Sequence, residues 1–241
     1  MRNLLLSFSL ACSLLLNGCA FIDEFFISPP EDTVQEIFEA GNEAMRDKNY
    51  IGAAKYYERI KEEFPFSPYA IESELSLADA YYLDGNYPSA TDAYRDFETL
   101  HPRHEAIPYV LYQLGMSLKN SYVSIDHEGS EVKEALGIFT RLSQEYPDTD
   151  YGKKSVEQIA ACRKTLAQHE LFIANVFWGM NNYQAAWSRY EYVAKNFPDV
   201  KEEAQFARNR SEAAYLKYRK EEAQSVRERQ QGSWKDWFKW L

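Results

Sequence analysis

The chain has 241 residues and a formal net charge of −10, with 27% charged and 15% aromatic residues against only 10 Gly and 9 Pro. That composition excludes a disordered chain, and the acidic balance, with no run of Lys and Arg, excludes a general binder of nucleic acid. What remains is an ordered, helix-rich protein.

The first nineteen residues carry a specific local signal. Arg2 gives a positive start, Leu4 to Leu16 is an apolar run too short to span a bilayer, and Leu16-Asn17-Gly18-Cys19 closes it in small residues before a cysteine. These four residues resemble the bacterial lipobox, with Asn17 where Ala, Ser or Thr is usual. The resemblance implies a lipoprotein signal peptide over 1–18, lipidation of Cys19 and a tether over 19–32. Several acyl chains then anchor the protein to a membrane without spanning it. Ala20 rather than Asp follows Cys19, which by resemblance to enteric sorting rules implies the outer membrane. Cys12 leaves with the signal, so Cys162 is left without an intramolecular disulfide partner. It lies in a helical pattern with no His and Asn partners and reads as a buried structural thiol.

Downstream, Thr33-x-x-Glu36 is a capping box that starts a helix, and a repeat begins. Asn-Tyr recurs at Asn49-Tyr50, Asn86-Tyr87 and Asn182-Tyr183. Each Tyr is followed by Ala three residues later (Ala53, Ala90, Ala186), by Tyr seven later (Tyr57, Tyr94, Tyr190) and by Pro fifteen later (Pro65, Pro102, Pro198). A further copy keeps the spacing at Val132, Ala135, Phe139 and Pro147, and small residues stand nine positions ahead at Gly41, Ala78 and Ala174. This is the tetratricopeptide pattern: two antiparallel helices per copy, a small residue admitting a large one, and Pro ending the second helix. Ser67-Pro68 is expected to cap the next helix.

Two spacings exceed the 22 residues between Pro65 and Tyr87: Pro102 to Val132 is 30, and Pro147 to Tyr183 is 36. The second predicts one long helix from about Asp150 to Trp178, with Val156, Ile159, Ala160, Arg163, Leu166, Ala167, Glu170, Ile173, Ala174 and Phe177 along one stripe. A last helical stretch, about 202–230, caps the array. The predicted fold is all-α, a tetratricopeptide solenoid of about five helical hairpins with one long central helix.

Chemistry-bearing groups are sparse. His101-Pro102-Arg103-His104 sits at a helix end with no second ligand pair, Asp126-His127-Glu128 falls in the expanded loop, and no Gly-rich phosphate loop or nucleophile–base pair is present. No catalytic residue, metal or cofactor is expected, and the chain reads as a scaffold rather than an enzyme.

Longer stretches are recognisable once the copies are placed. Phe64-Pro65-Phe66-Ser67-Pro68-Tyr69, Ala80-Tyr81-Tyr82, His101-Pro102 with Tyr109-Val110-Leu111-Tyr112 and Gly115, Tyr146-Pro147-Asp148 and Ala186 to Pro198 resemble the BamD family of outer-membrane protein assembly lipoproteins. The resemblance implies a lipid-anchored subunit on the periplasmic face of the outer membrane. Such a subunit docks on a BamA-like barrel protein beside other assembly-machinery lipoproteins and receives unfolded outer-membrane proteins. It also implies that Arg189 contacts the BamA-like partner. The loop from Ser124 to Glu131 lacks the Arg- and Asp-rich insertion that the family often carries there. The alternative from another class is a pilotin-like or cell-envelope organising lipoprotein.

From the residues themselves, Phe64, Phe66 and Tyr69, bracketed by prolines, are the candidate contacts for an extended substrate peptide, while Tyr81 at a large-residue position reads as core. The functional halves are then 33–126 for substrate and 127–230 for docking. The ending 231–241 places Trp234, Trp237, Phe238 and Leu241 on one face of a short amphipathic helix suited to a membrane interface or a partner groove.

Overall fold

A computed structural model of the chain describes residues 33–127 and 129–231. Cys19, Glu128, Trp234, Trp237 and Phe238 lie outside these residues. Among the described residues there is no strand, and nine helices follow one another. They are α1 (Val34–Arg46), α2 (Tyr50–Glu63), α3 (Ala70–Leu83), α4 (Tyr87–Leu100), α5 (Ile107–Ser121), α6 (Ser130–Glu145), α7 (Asp150–Gly179), α8 (Tyr183–Asn196) and α9 (Lys201–Gln231). The chain is all-helical, the long helix α7 ends one residue beyond its expected limit, and the last copy is represented by α9 alone.

The recurring motif has a local cause. Each Asn of an Asn-Tyr pair is an N-cap whose side-chain oxygen accepts a backbone N–H: Gly52 to Asn49 at 3.1 Å, Ser89 to Asn86 at 3.3 Å and Ala185 to Asn182 at 3.2 Å. The residue ahead of each sits in the left-handed region, Lys48 at φ 59°, Gly85 at 79° and Asn181 at 59°, which reverses the chain within a few residues. At the other end, Phe64, His101, Tyr146 and Phe197 cap α2, α4, α6 and α8 with φ between −132° and −125° and ψ between 48° and 53°. Each precedes a proline, whose ring disfavours helical backbone in the residue before it, so four helices stop in one geometry. Thr33 and Glu36 form the expected capping box, each side chain accepting the other's backbone N–H.

One expected cap is absent. Ser67-Pro68 does not begin α3: the N-cap is Tyr69 with no side-chain bond, and Ser67 Oγ is buried without a partner. Ser67 belongs instead to the tight turn after Phe64, its N–H donating to the Phe64 carbonyl at 3.0 Å and its carbonyl accepting from Ala70 at 3.1 Å.

Packing divides the chain into two compact units, Met1–Gly85 and Asn86–Leu241. In the first, α1 and α2 close over Ile37, Phe38, Tyr57 and Ile60, with Leu77 and Ala80 from α3. Gly41 makes this possible, because a Cβ there would lie 2.8 Å from Tyr57 Cε1. The Tyr57 hydroxyl donates to Asn42 Oδ1 at 2.7 Å, and burial pushes its pKa up to about 12. The second unit repeats the device on α7 and α8: Ala174 and Tyr190 are wholly buried, and the Tyr190 hydroxyl donates to Asn175 Oδ1 at 2.6 Å. Where the aromatic is Phe139 and has no hydroxyl, the residue after the small one is Met116 rather than Asn.

That third copy hides its small residue from a fixed-offset search. Gly115 lies 17 rather than nine residues ahead of Val132, because the eight inserted residues fall between them. A Cβ on Gly115 would lie 2.6 Å from Phe139 Cζ.

The stripe expected on α7 is displaced in its N-terminal half. Val156 is 60% exposed and Ala160 is also exposed, whereas Gly152, Ser155, Cys162, Leu166, Ala167, Leu171 and Ala174 are buried. Small residues face α6 there, and a search for apolar periodicity passes over them. α9, at 31 residues, is about 46 Å long, roughly twice the length of its neighbour α8. Their contact reaches Lys217, whose Nζ donates to the Tyr183 hydroxyl at 3.2 Å, and Tyr218, whose ring stacks on Trp187 with centroids 6.1 Å apart. From Arg219 to Gln230 every side chain except Glu222 is exposed.

Gly115→Ala should cost about 1–3 kcal/mol by overpacking, measured by urea unfolding followed by circular dichroism. Adding Phe139→Leu should recover part of that loss. A Gly115→Ala protein as stable as the parent would refute the close approach.

Candidate functional site

The turn after α2 was expected to offer three aromatics, and the structure separates them. Phe64 packs half-buried against the core of the first unit, and Tyr69 lies with its ring 5.1 Å from that of Phe38. Phe66 is 99% exposed, carried between the exposed prolines Pro65 and Pro68, with Ile71 also exposed on the first turn of α3. Phe66 is thus the one of the three whose whole ring is open to contact. Tyr81 is half-buried against the same core, where desolvation first, and the Glu58 charge second, raise its hydroxyl pKa.

In the second unit, polar clasps join α7 to α8 and α9. Arg189 Nη1 donates to Glu170 Oε2 at 2.8 Å. The Glu170 side chain is nearly enclosed while that of Arg189 is 45% exposed, and Arg189 Nε and Nη2 make no hydrogen bond among the described residues. A guanidinium presents five N–H donors in a fixed plane, so one edge tied to Glu170 leaves the rest oriented toward solvent for a second carboxylate. Arg163 is used more fully: Nε donates to Asp199 Oδ2 at 2.6 Å, Nη2 to Asp199 Oδ1 and to the Asn196 carbonyl at 2.8 Å, and the group lies 5.2 Å from the Phe197 ring centroid. The Arg163 bond holds the Asp199 carboxyl below its ordinary pKa. Gln168 donates to Glu203 at 2.8 Å beside it. Arg163 and Glu170, read from the sequence as members of one helical stripe, are therefore ion-pair residues. No sequence signal marked their partners, which lie 36 and 19 residues away.

The histidines are absorbed structurally. His101 and His104 pack on Phe97 with centroids 4.9 and 5.4 Å apart, and His104 Nδ1 accepts the Ala106 N–H at 3.2 Å. In the expanded loop, Ser124 bonds both Asp126 and His127, and the Ser124 hydroxyl first of all lowers the Asp126 pKa. Among the described residues no group of three or more His, Cys, Asp or Glu could hold a metal. Cys162 is wholly buried, and desolvation pushes its thiol pKa up, away from the thiolate a nucleophile needs.

The profile of the YfiO family, described as outer membrane lipoprotein, matches residues 30–230. The chain belongs to the YfiO family. Its relatives in that family include proteins named outer membrane protein assembly factor BamD. The one from Neisseria meningitidis serogroup A is 27% identical over 214 residues, covering 83% of this chain and 79% of the relative. The one from Vibrio cholerae is 25% identical over 210 residues, covering 83% and 86%. The one from Rickettsia prowazekii is 27% identical over 194 residues, covering 80% and 76%. Among solved structures, a kinesin light chain with nearly identical TPR-like repeats from Podosopora anserina aligns at 13% identity with a TM-score of 0.42, over 83% of this chain and 97% of that one, a likeness too loose to build on.

For a YfiO-family chain with this turn, exposure separates contact from packing. Phe66→Ser should change unfolding free energy by no more than about 0.5 kcal/mol, whereas Tyr69→Ala should lose about 1–3 kcal/mol with the ring contact to Phe38. Urea titration of both variants measures this, and equal losses would contradict the division.

Proposed function

We propose that the chain is an outer membrane protein assembly factor. It is anchored through Cys19 at the periplasmic face of the outer membrane, receives unfolded outer-membrane proteins, and docks on a BamA-like barrel protein beside other assembly-machinery lipoproteins. The observation that carries this reading is the family match across residues 30–230, with assembly-factor relatives aligned over most of their own length. No described helix is long and apolar enough to cross a membrane; in this reading an acylated Cys19 supplies the attachment. Phe66 offers an apolar contact to an extended client, from a turn whose Phe64 and Tyr69 pack against the core. Arg189, held in place by Glu170, offers the free part of its fork to a carboxylate of the barrel protein.

The tail contributes a second attachment. α9 carries the chain about 20 Å past Tyr218 before residue 232, and the exposed, charged surface of that length is that of a spacer rather than a packed element. Trp234, Trp237 and Phe238 then dock on the complex or the membrane surface, where the anchor at Cys19 raises their effective concentration.

Purification from detergent-solubilised outer membranes should recover a BamA-like barrel protein in fixed proportion. A stable partner set without one would reject the function. Arg189→Glu should abolish that recovery while circular dichroism stays unchanged, with melting lowered because a second carboxylate then faces the nearly enclosed Glu170; full recovery would remove Arg189 from the interface.

Deleting residues 233–241 should weaken retention of the complex or binding to liposomes with little change in melting temperature. A large fall in melting temperature with binding intact would place the tail in the folded core instead.

A further inference from the structure

The eight inserted residues ahead of α6 border a groove to which the assembly reading gives no role. The groove, about 320 Å³, lies between α6, α7 and α8, and its lining includes Lys133, Leu136, Leu166, His169, Tyr192 and Phe197. This is the lower end of the range for small-ligand sites, suited to a side chain or two rather than to a folded element.

The insertion is fastened to its wall at two points. His169 Nδ1 bonds the Ile125 carbonyl at 2.7 Å. A carbonyl only accepts, so Nδ1 carries the hydrogen. Gly129, at the end of the insertion, backs onto Leu166, where a Cβ would come within 3.1 Å of Cδ2. Val123 and Ile125 in the same loop are 79% and 39% exposed.

The charges of the groove do not cancel. Arg163 is neutralised by Asp199, and Glu170 by Arg189. Lys133 is exposed and has no ion-pair partner among the described residues. One uncompensated cation therefore stands over a floor of buried Leu166 and Phe197, in a chain whose net charge is −10.

We propose that this groove is a peptide-docking site for an extended partner segment in which a carboxylate lies beside a large apolar side chain. The apolar group rests on Leu136, Leu166 and Phe197, and the carboxylate pairs with Lys133. Apolar contact supplies most of the affinity, while the single charge sets direction and excludes basic segments. The site is defined by this geometry alone and would stand if the chain had no part in outer membrane assembly.

Panning a random heptapeptide phage library on the full chain held in detergent tests it. Peptides with Asp or Glu within two residues of Phe, Leu or Tyr should be enriched. Lys133→Glu should lower the binding of the synthetic consensus peptide at least tenfold, and Lys133→Gln less, with the melting temperature of both variants unchanged. Enrichment of basic or purely apolar peptides would overturn the site. So would acidic-apolar peptides indifferent to Lys133→Glu, or no enrichment at all.

Discussion

The whole array depends on one contact, a large aromatic of a second helix pressed into the space left by a small residue on the first. At Gly41 and Gly115 the neighbouring ring occupies the volume where a β-carbon would stand, within 2.8 Å for Tyr57 and 2.6 Å for Phe139. Two helices that approach this closely bury their facing side chains almost completely, as Ile37, Ile60, Val132 and Leu142 show. The tyrosines add a hydroxyl that cannot be left dry, and Asn42 and Asn175, each one residue after the small position, take its hydrogen. Where Phe139 replaces tyrosine no acceptor is required, and Met116 stands there instead.

The rigid hairpins leave the surface free to differ from copy to copy. The first unit exposes Phe66 at a turn whose remaining aromatics serve the core. The second unit spends its polar residues on clasps between α7 and the helices after it, so that Arg163 is consumed while Arg189 keeps part of its fork available. The eight-residue insertion interrupts the third copy without disturbing its Gly115–Phe139 contact, since loop length is a weak energetic variable, and it is fastened to His169 and Leu166 of α7. α9 ends the array with small residues, Ala204, Ala207 and Ala214, against α8, and with an exposed charged length beyond it.

The sequence by itself determined the copies and most of their ends, though not the start of α3 nor that the last copy is a single helix among the described residues. Asn caps, left-handed residues ahead of them and pre-proline stops act over one to four residues, so they are written in order along the chain, and the long α7 followed from a spacing. The capping box at Thr33 and the buried Cys162 were legible for the same reason. Tertiary structure decided what the surface offers. Periodicity cannot tell that Tyr69 turns to Phe38 while Phe66 faces water, because both lie in one irregular turn. Nor can it find Glu170 beneath Arg189, Asp199 on Arg163, or the Ile125 carbonyl at His169, which meet across 19, 36 and 44 residues. Those pairings arise only when separate helices are laid side by side, and the same packing exposed Val156 and buried Ser155, because at a close helix contact size outweighs hydrophobicity.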